Sequence, residues 1–598
     1  MDFNTFLELI DEKFALSLEH GKGKILPLEE AIKEYVKPNQ IIHLGFCGGF
    51  SMGAIQEITR QFYDKNPNFH VACLGATTHV QYMLGANLQT PMIKKLTTSY
   101  AGDAYPRSTM VPIFNHHIKK GMDIEYCTVL TFTLMLLAAA MDLPWLPTNS
   151  IIDSGMEEEG YFKKIEDPFA TDSSSPDQEI GLIKSLHPDV SIYHAWASDP
   201  YGNAVFVPPY GGDIYGAYAC NGPVIVTTER IVDTDYIRRH RDYVRLPGHI
   251  VAAVVELSYG SHPSMFYGLD GGGYVEDIPY LLNFHKNNRV PEKLHGFVKE
   301  WILNVRDFQK YKKKVGVEKL LELSGRIDPE SWKEDLKCQL ENVDDLDSRP
   351  INEFERLVLM ASEVITEILK ERNYEIILAG QGFSNLAAWM ALFNLSEDDV
   401  PLDLVAEVGF YGYVPRPGSP FVFNISNIPT CKMATNVIDI LGINLGRSNS
   451  CAVLGAAQLD RFGNINSSKI GIHHLIGSGG SNDVGSQYRA REIFVVMVHG
   501  KDRLLDKVPY VTVPGKRVST VITTKGVLRK IDNSNELVLT EYFDPDKRLK
   551  QDIINDIKEN TGWDLKVARD VKRMSISSEE KVNMLRLLDP NGFFLTHN

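Results

Sequence analysis

The stretch "IIHLGFCGGFSMGAIQEI" (residues 41–58) passes from a short apolar segment through a glycine-rich turn into a helical pattern. A second stretch, "EIILAGQGFSNLAAWMAL" (375–392), repeats that order: strand, glycines, "GFS", helix. Short apolar runs bounded by glycine predict strands, and the helical spacing after each turn predicts that a helix follows. Two further segments rhyme in the same sequence. "SDPYGNAVF" (198–206) and "LDRFGNINS" (459–467) share Asp, an aromatic residue and Gly-Asn. "YGGDIYGAYA" (210–219) and "SGGSNDVGSQY" (478–488) share Gly-Gly, and each leads into an apolar, strand-like run. Repeated strand–turn–helix units predict an α/β fold: two tandem, related, open α/β domains with mainly parallel sheets and helices on both faces.

The order of segments is shared, but the spacing is not. Ser51 to Asp199 is longer than Ser384 to Asp460, so the first half carries additional residues, the apolar run "VLTFTLMLLAAAM" (129–141) among them. Between the halves the sequence is charged and helix-patterned. This places the first domain at 1–300, a helical connector at 301–350 and the second domain at 351–598.

A chain of 598 residues exceeds a single ordinary core. Its 43% hydrophobic and 23% charged content is that of a globular protein. A net charge of -15 argues against nucleic acid as a partner. Seven scattered cysteines without a CxxC pair predict free thiols in a reducing compartment, and the acid-containing N-terminus does not read as a signal peptide. The 129–141 run is too short to span a bilayer and reads as a buried helix. A cytoplasmic location and no membrane partner are expected.

Several motifs invite chemistry. Neither glycine turn has the dinucleotide spacing G-x-G-x-x-G, which weakens a dehydrogenase reading. Glycine turns that open helices still present backbone N–H groups to anions or amides. That makes Gly45, Gly48, Gly49, Phe50 and Ser51 in the first turn, and Gly380 and Gly382 in the second, candidate ligand contacts. His116-His117 and His473-His474 lack a third ligand at useful spacing, so they read as polar loop residues, and no metal is expected. Glu157-Glu158-Glu159 reads as a solvated face. Cys47 is a possible nucleophile, although a small buried thiol is the commoner role. No G-x-S-x-G elbow occurs. "AEVGFYGYVP" (406–415) places Glu407 at a strand end, in a glycine-rich and aromatic stretch, with no cation beside it. A carboxylate of ordinary pKa, about 4.3, is ionised at neutral pH and can act as a covalent nucleophile. The oxyanion formed by its attack needs preorganised N–H donors, which the Gly479-Gly480 turn is suited to supply.

Taken together, "FCGGFSMG", "PIFNHHIKKG", "HPDVSIYHAWASDPYGNAVF" and "LSYGSHPSMFYG" in the first half resemble the α subunits of class I CoA-transferases. "AGQGFSNLAAWMA", "AEVGFYGYVP", "LGAAQLDRFGNIN" and "GSGGSNDVGS" in the second half resemble the β subunits. The chain is most similar to the glutaconate CoA-transferase group, with both subunits fused. The resemblance implies an active site between the halves, with Glu407 of the Glu407-Val408-Gly409 segment as the catalytic glutamate. It implies ping-pong transfer of CoA between an acyl-CoA and a carboxylic acid through a glutamyl-CoA thioester, with no permanently bound cofactor. It also assigns Gly479, Gly480 and Gly409 to the oxyanion and CoA loop, the first glycine turn to the acyl and pantetheine pocket, and Gln458 to the site lining. A homodimer of fused chains is expected. Same-fold alternatives are an acyl-CoA hydrolase or a C–C bond-cleaving enzyme, and a further one is a non-catalytic acyl-CoA-binding protein. The aromatics after Glu407 suggest a bulky or apolar acyl pocket.

Overall fold

Ile41–Leu44 (β1) is apolar at all positions but His43, as expected of a strand covered on both faces. It is the middle strand of a seven-stranded sheet in the computed structural model. That structure describes residues 2–14, 22–169, 179–343, 346, 348–396, 400–486, 490–531, 534–543, 548–575 and 578–596. The sheet also contains Phe69–Ala72 (β2), Ile93–Thr98 (β3), Asp123–Tyr126 (β4), Val190–Ala195 (β5), Val224–Thr228 (β6) and Val251–Glu256 (β7). Its order is β7-β6-β5-β1-β2-β3-β4, and every ladder is parallel.

The second half repeats the design. Ile376–Ala379 (β8), Asp403–Ala406 (β9), Ser450–Leu454 (β10), Glu492–Met497 (β11) and Val518–Thr523 (β12) lie parallel in the order β12-β11-β10-β8-β9. That is the order of β7-β6-β5-β1-β2, strand for strand. Beyond β9 the two sheets diverge. The first continues with parallel β3 and β4, whereas the second folds back through the short antiparallel strands Phe410–Tyr411 and Met433–Ala434. Beyond β12 it is extended by Gly526–Lys530, Leu537–Phe543 and Val567–Met574 into a ten-stranded sheet.

The Asp-x-x-Gly-Asn rhyme is a structural device used twice. Asp199 accepts the amides of Tyr201 and Asn203 and the Asn203 side chain, and Asn203 in turn accepts the amide of Gly248 at 2.8 Å. Asp460 accepts Phe462, Asn464 and the Asn464 side chain, and Asn464 accepts Gly515 at 2.7 Å. Gly202 and Gly463 hold φ of 95° and 82°, the left-handed region that glycine enters without strain. Each turn therefore ties the end of one strand region to the start of β7 or β12.

Met52–Phe62 (α1) and Phe383–Ser396 (α4) are the helices that leave the two glycine turns. Val129–Ala140 (α2) is almost wholly buried, and Glu353–Arg372 (α3) packs against α4. Residues 308–341 form three short helices. Among the described residues no helix is long and apolar enough to cross a membrane.

The halves are laced together by residues 474–483. Ala101 donates its amide to Ile476, Gly479 donates to Ser99, and Val129 donates to Gly479. Asp483 accepts the Thr128 hydroxyl at 2.5 Å and the Leu130 amide at 3.0 Å, so a carboxylate of the second half caps the N-terminus of α2 in the first. His474 is buried in this seam, between the Tyr126 hydroxyl and the Ala101 carbonyl, and burial lowers its pKa to about 4. It is thus a neutral bridge and not a loop residue. His117 is likewise buried, against the Leu84 carbonyl. The acidic run divides too: Glu158 is exposed, but burial raises the half-buried Glu159 to about 7.

Candidate active site

β9 ends at Ala406, and the chain must reverse at once to form the antiparallel strand Phe410–Tyr411. Gly409 makes this reversal with φ of 124°, and a Cβ there would stand 2.5 Å from the Thr435 carbonyl oxygen. Its amide donates to the Ala406 carbonyl at 3.2 Å. The reversal leaves Glu407 at the corner, facing the seam between the halves.

One carboxyl oxygen of Glu407, Oε2, accepts the Gly480 amide at 3.0 Å. The approach is so close that a Cβ on residue 480 would lie 2.2 Å from that oxygen and would displace the carboxyl. Removal from water raises the Glu407 pKa to about 7. The Asp483 carboxylate pushes the same way, and the Gly480 amide opposes both. The ordinary carboxylate value expected from sequence is therefore corrected: near neutrality Glu407 is close to evenly divided between acid and carboxylate.

Glu407 opens into a cavity of about 210 Å³ lined by both halves. Phe46, Gly48, Gly49 and Phe50 come from the first glycine turn, and Leu74, Tyr105 and Leu281 from elsewhere in the first half. Gln381, Val408, Phe410, Phe421, Phe423 and Gly479 come from the second. The wall is mostly apolar and aromatic, in keeping with the pocket expected from "GFYGYVP". The amides of Gly48, Gly49 and Phe50 have no acceptor among the described residues, whereas the Phe50 carbonyl is held by the Ser261 hydroxyl at 2.6 Å. Behind this turn Asp213 accepts the Phe46 amide at 2.9 Å and stands 4.0 Å from His43. Full burial raises its pKa to about 8.

The structure brings Glu407, Gly48, Gly49, Phe50 and Gly479 together on one cavity, with Gly480 bonded to the Glu407 carboxyl. The other expected residues stand elsewhere. Gly45 lies against Tyr193, where a Cβ would meet the ring at 2.3 Å. Ser51 is buried, and its hydroxyl pairs with Thr227 at 2.7 Å. Gly380 donates its amide to Val453, and Gly382, with φ of 101°, donates to the Asn385 side chain. Gln458 bonds Asn466 and the Asp502 carbonyl and does not line the cavity. The amides of Gly479 and Gly409 are already committed to carbonyls. Cys47 is buried outside the lining, and burial pushes its thiol well up, away from a nucleophilic thiolate. Among the described residues no cluster of His, Cys, Asp and Glu could hold a metal.

Sequence reasoning missed Gln381, whose side chain donates to the Ala104 carbonyl across the seam, and Glu276, a buried carboxyl in the cavity wall. Gln381 was within reach, as the residue between the two glycines of "GQG". Nothing in "YVEDIPYLL" distinguishes Glu276 from a surface acid.

Comparison with known proteins agrees with this geometry. A family model described as Coenzyme A transferase matches residues 25–257. Both subunits of the glutaconate CoA-transferase of Acidaminococcus fermentans resemble parts of this chain. The first is 32% identical over 50% of this chain and 94% of its own length. The second is 24% identical over 39% of this chain and 93% of its own length. The two match different halves, as expected if the chain is a fusion of both. The acyl-CoA transferase YdiF of Escherichia coli O157:H7, solved as a thioester complex with CoA, has the same fold over 94% of this chain and 96% of its own, with a TM-score of 0.62 at 16% identity. With both halves of its sequence and its two-sheet architecture accounted for in this way, the chain belongs to the class I coenzyme A transferase family.

Proposed function

We propose that this enzyme moves CoA between an acyl-CoA and a free carboxylic acid by a ping-pong route through a glutamyl-CoA thioester on Glu407. The observation that carries this reading is a half-buried carboxyl, fixed by one backbone N–H and with no cation beside it among the described residues, facing a largely apolar cavity. With Oε2 held by Gly480, Oε1 attacks the thioester carbonyl. The C–S bond breaks, CoA leaves as a thiolate and an acyl-glutamyl anhydride remains. The thiolate then attacks the glutamyl carbon, the first acid departs as a carboxylate, and Glu407 carries CoA as a thioester. A second carboxylate reverses these steps.

Two oxyanions form in the forward half. The first, on the substrate carbonyl, suits the uncommitted amides of Gly48, Gly49 and Phe50. The second develops on Oε2 itself when the thiolate attacks, where the Gly480 amide already stands at 3.0 Å. The Gly480 contact thus gains strength when negative charge gathers on that oxygen, which is how a hydrogen bond lowers a barrier instead of only binding.

In the same reading, residues 1–300 and 351–598 are α-like and β-like domains joined by a connector at 301–350, and two fused chains pair as a homodimer. Acyl-CoA and a carboxylic acid are its substrates. Intact-mass measurement after incubation with a panel of acyl-CoAs tests the chemistry. A CoA-sized adduct is expected on the wild type, absent from E407A and discharged by added carboxylate. Steady release of CoA without adduct or carboxylate would replace this reading with hydrolysis or bond cleavage.

A further inference from the structure

Glu276 lines the same cavity as Glu407, and it also borders a smaller adjoining cavity shared with Arg326, Trp332 and Asp335. Asp483 is the charge that acts on Glu407, whereas the charge that acts on Glu276 is Arg326. The residue is 7% exposed, and its Oε1 has no hydrogen-bond partner among the described residues. Around it are Tyr105 and Leu281, packed with Phe421 into an aromatic-rich cluster.

The carboxyl is not a failed salt bridge. The Arg326 guanidinium is already engaged by Asp335 through two bonds, at 2.8 and 2.9 Å. Nor is it loosely placed. The Val275 amide donates to the Leu323 carbonyl, the Glu276 carbonyl accepts the Ile278 amide, and the Asp277 amide donates to the Pro263 carbonyl. Asp277 then caps the helix Ile278–Asn288 through the Tyr280 amide. A buried carboxyl oxygen without a partner is destabilising, and buried polar atoms are usually satisfied. Here the backbone is pinned on both sides and the residue lines the cavity that also holds Glu407.

We propose that Glu276 is a specificity-determining residue that recognises a hydroxyl or keto oxygen on the acyl chain, remote from the thioester. This deepens the transfer reading above and rests on it. In apolar surroundings a carboxyl prefers a neutral oxygen partner to a second carboxylate, which would add like charge where the nearby guanidinium is already taken by Asp335. Burial raises the Glu276 pKa to about 7, so at neutral pH much of the group is the acid, able to donate as well as accept. A site built to hydrogen-bond a substrate oxygen discriminates against the analogue lacking it, because its own polar group is then left unpaired.

The test uses matched straight-chain acyl-CoAs of four to ten carbons, with and without a terminal hydroxyl, on the full-length wild type, E276Q and E276L. The rate of adduct formation on Glu407 is read by mass. For at least one chain length the wild type should favour the hydroxylated substrate by about tenfold or more. E276L should lose that preference. E276Q, whose amide both donates and accepts, should keep most of it. Equal ratios in the wild type and E276L, or no preference at any length in the wild type, would overturn the assignment; the second result needs no variant. If no thioester forms an adduct, the transfer reading falls, and calorimetric binding of the free hydroxy and plain acids to the same proteins decides the role of Glu276. A preference lost in E276L keeps it, and an unchanged ratio removes it.

Discussion

Glu407 owes its raised pKa to where it is placed. Its raised pKa means that the folded protein holds the proton more tightly than the unfolded chain does. Its contribution to stability is therefore present below about pH 4.5 and is lost as pH rises through about 7. E407Q should accordingly melt like the wild type at pH 4.5 and be more stable at pH 8. The difference should reach up to about 3 kcal/mol, at roughly 1.4 kcal/mol for each tenfold change in proton affinity. Calorimetric melts across that range check the sign. Attack needs the carboxylate, so the single-turnover rate of adduct formation should climb with pH and level off above about 7. D483N, which removes the neighbouring negative charge, should move that rise to lower pH. Two adjacent glycines give a sharper contrast. G480A forces a methyl group into the Glu407 carboxyl and should lower the rate by about 10²-fold or more, the usual effect of losing one oxyanion donor. At Gly479 a Cβ meets nothing within 4 Å, so G479A carries only the strain of its φ of 53°, about 1–2 kcal/mol of stability.

At the scale of elements, the Asp-x-x-Gly-Asn turns explain how two halves of modest mutual resemblance reach the same strand order. Asp199 and Asp460 are fully buried, and each accepts hydrogen bonds from several donors. Removing either carboxylate leaves those donors orphaned. D199A and D460A should each destabilise by about 2–4 kcal/mol in urea unfolding, with little change in the cavity itself. The glycine turns at 45–50 and 380–382 likewise show that similar local sequence does different work. In the first, glycines admit Tyr193 and Phe266, and the amides of Gly48, Gly49 and Phe50 on the cavity wall have no acceptor among the described residues. In the second, the amides are consumed by Val453 and Asn385, and only Gln381 reaches the seam. Sequence similarity could not separate these cases, because what differs is which neighbour lies opposite.

At the scale of the whole molecule, residues 474–483 tie together the halves that hold the seven-stranded and ten-stranded sheets. This segment supplies Gly480 to the Glu407 carboxyl, Asp483 to the end of α2, and His474 to the Tyr126–Ala101 pair. Those bonds do not require the halves to be one polypeptide. Chains of residues 1–341 and 342–598, expressed together, should co-purify and form the CoA adduct on Glu407; separate elution of the two on size exclusion would show that the covalent link is needed. N482A, which removes the acceptor of the Ile151 amide at 2.7 Å, should weaken that association.

The alternation of apolar strands, glycine turns and helices determined the α/β class and the twofold repetition by itself, because strand and helix periods are local properties of the chain. The Glu-x-Gly segment was legible too, since a carboxylate in an aromatic and glycine-rich setting stands out. Which glycines touch the cavity, the acidity of Glu407 and the presence of Glu276 were decided only when the halves met. Desolvation, amide direction and the wall of a cavity depend on atoms far away along the chain, and no local pattern records them.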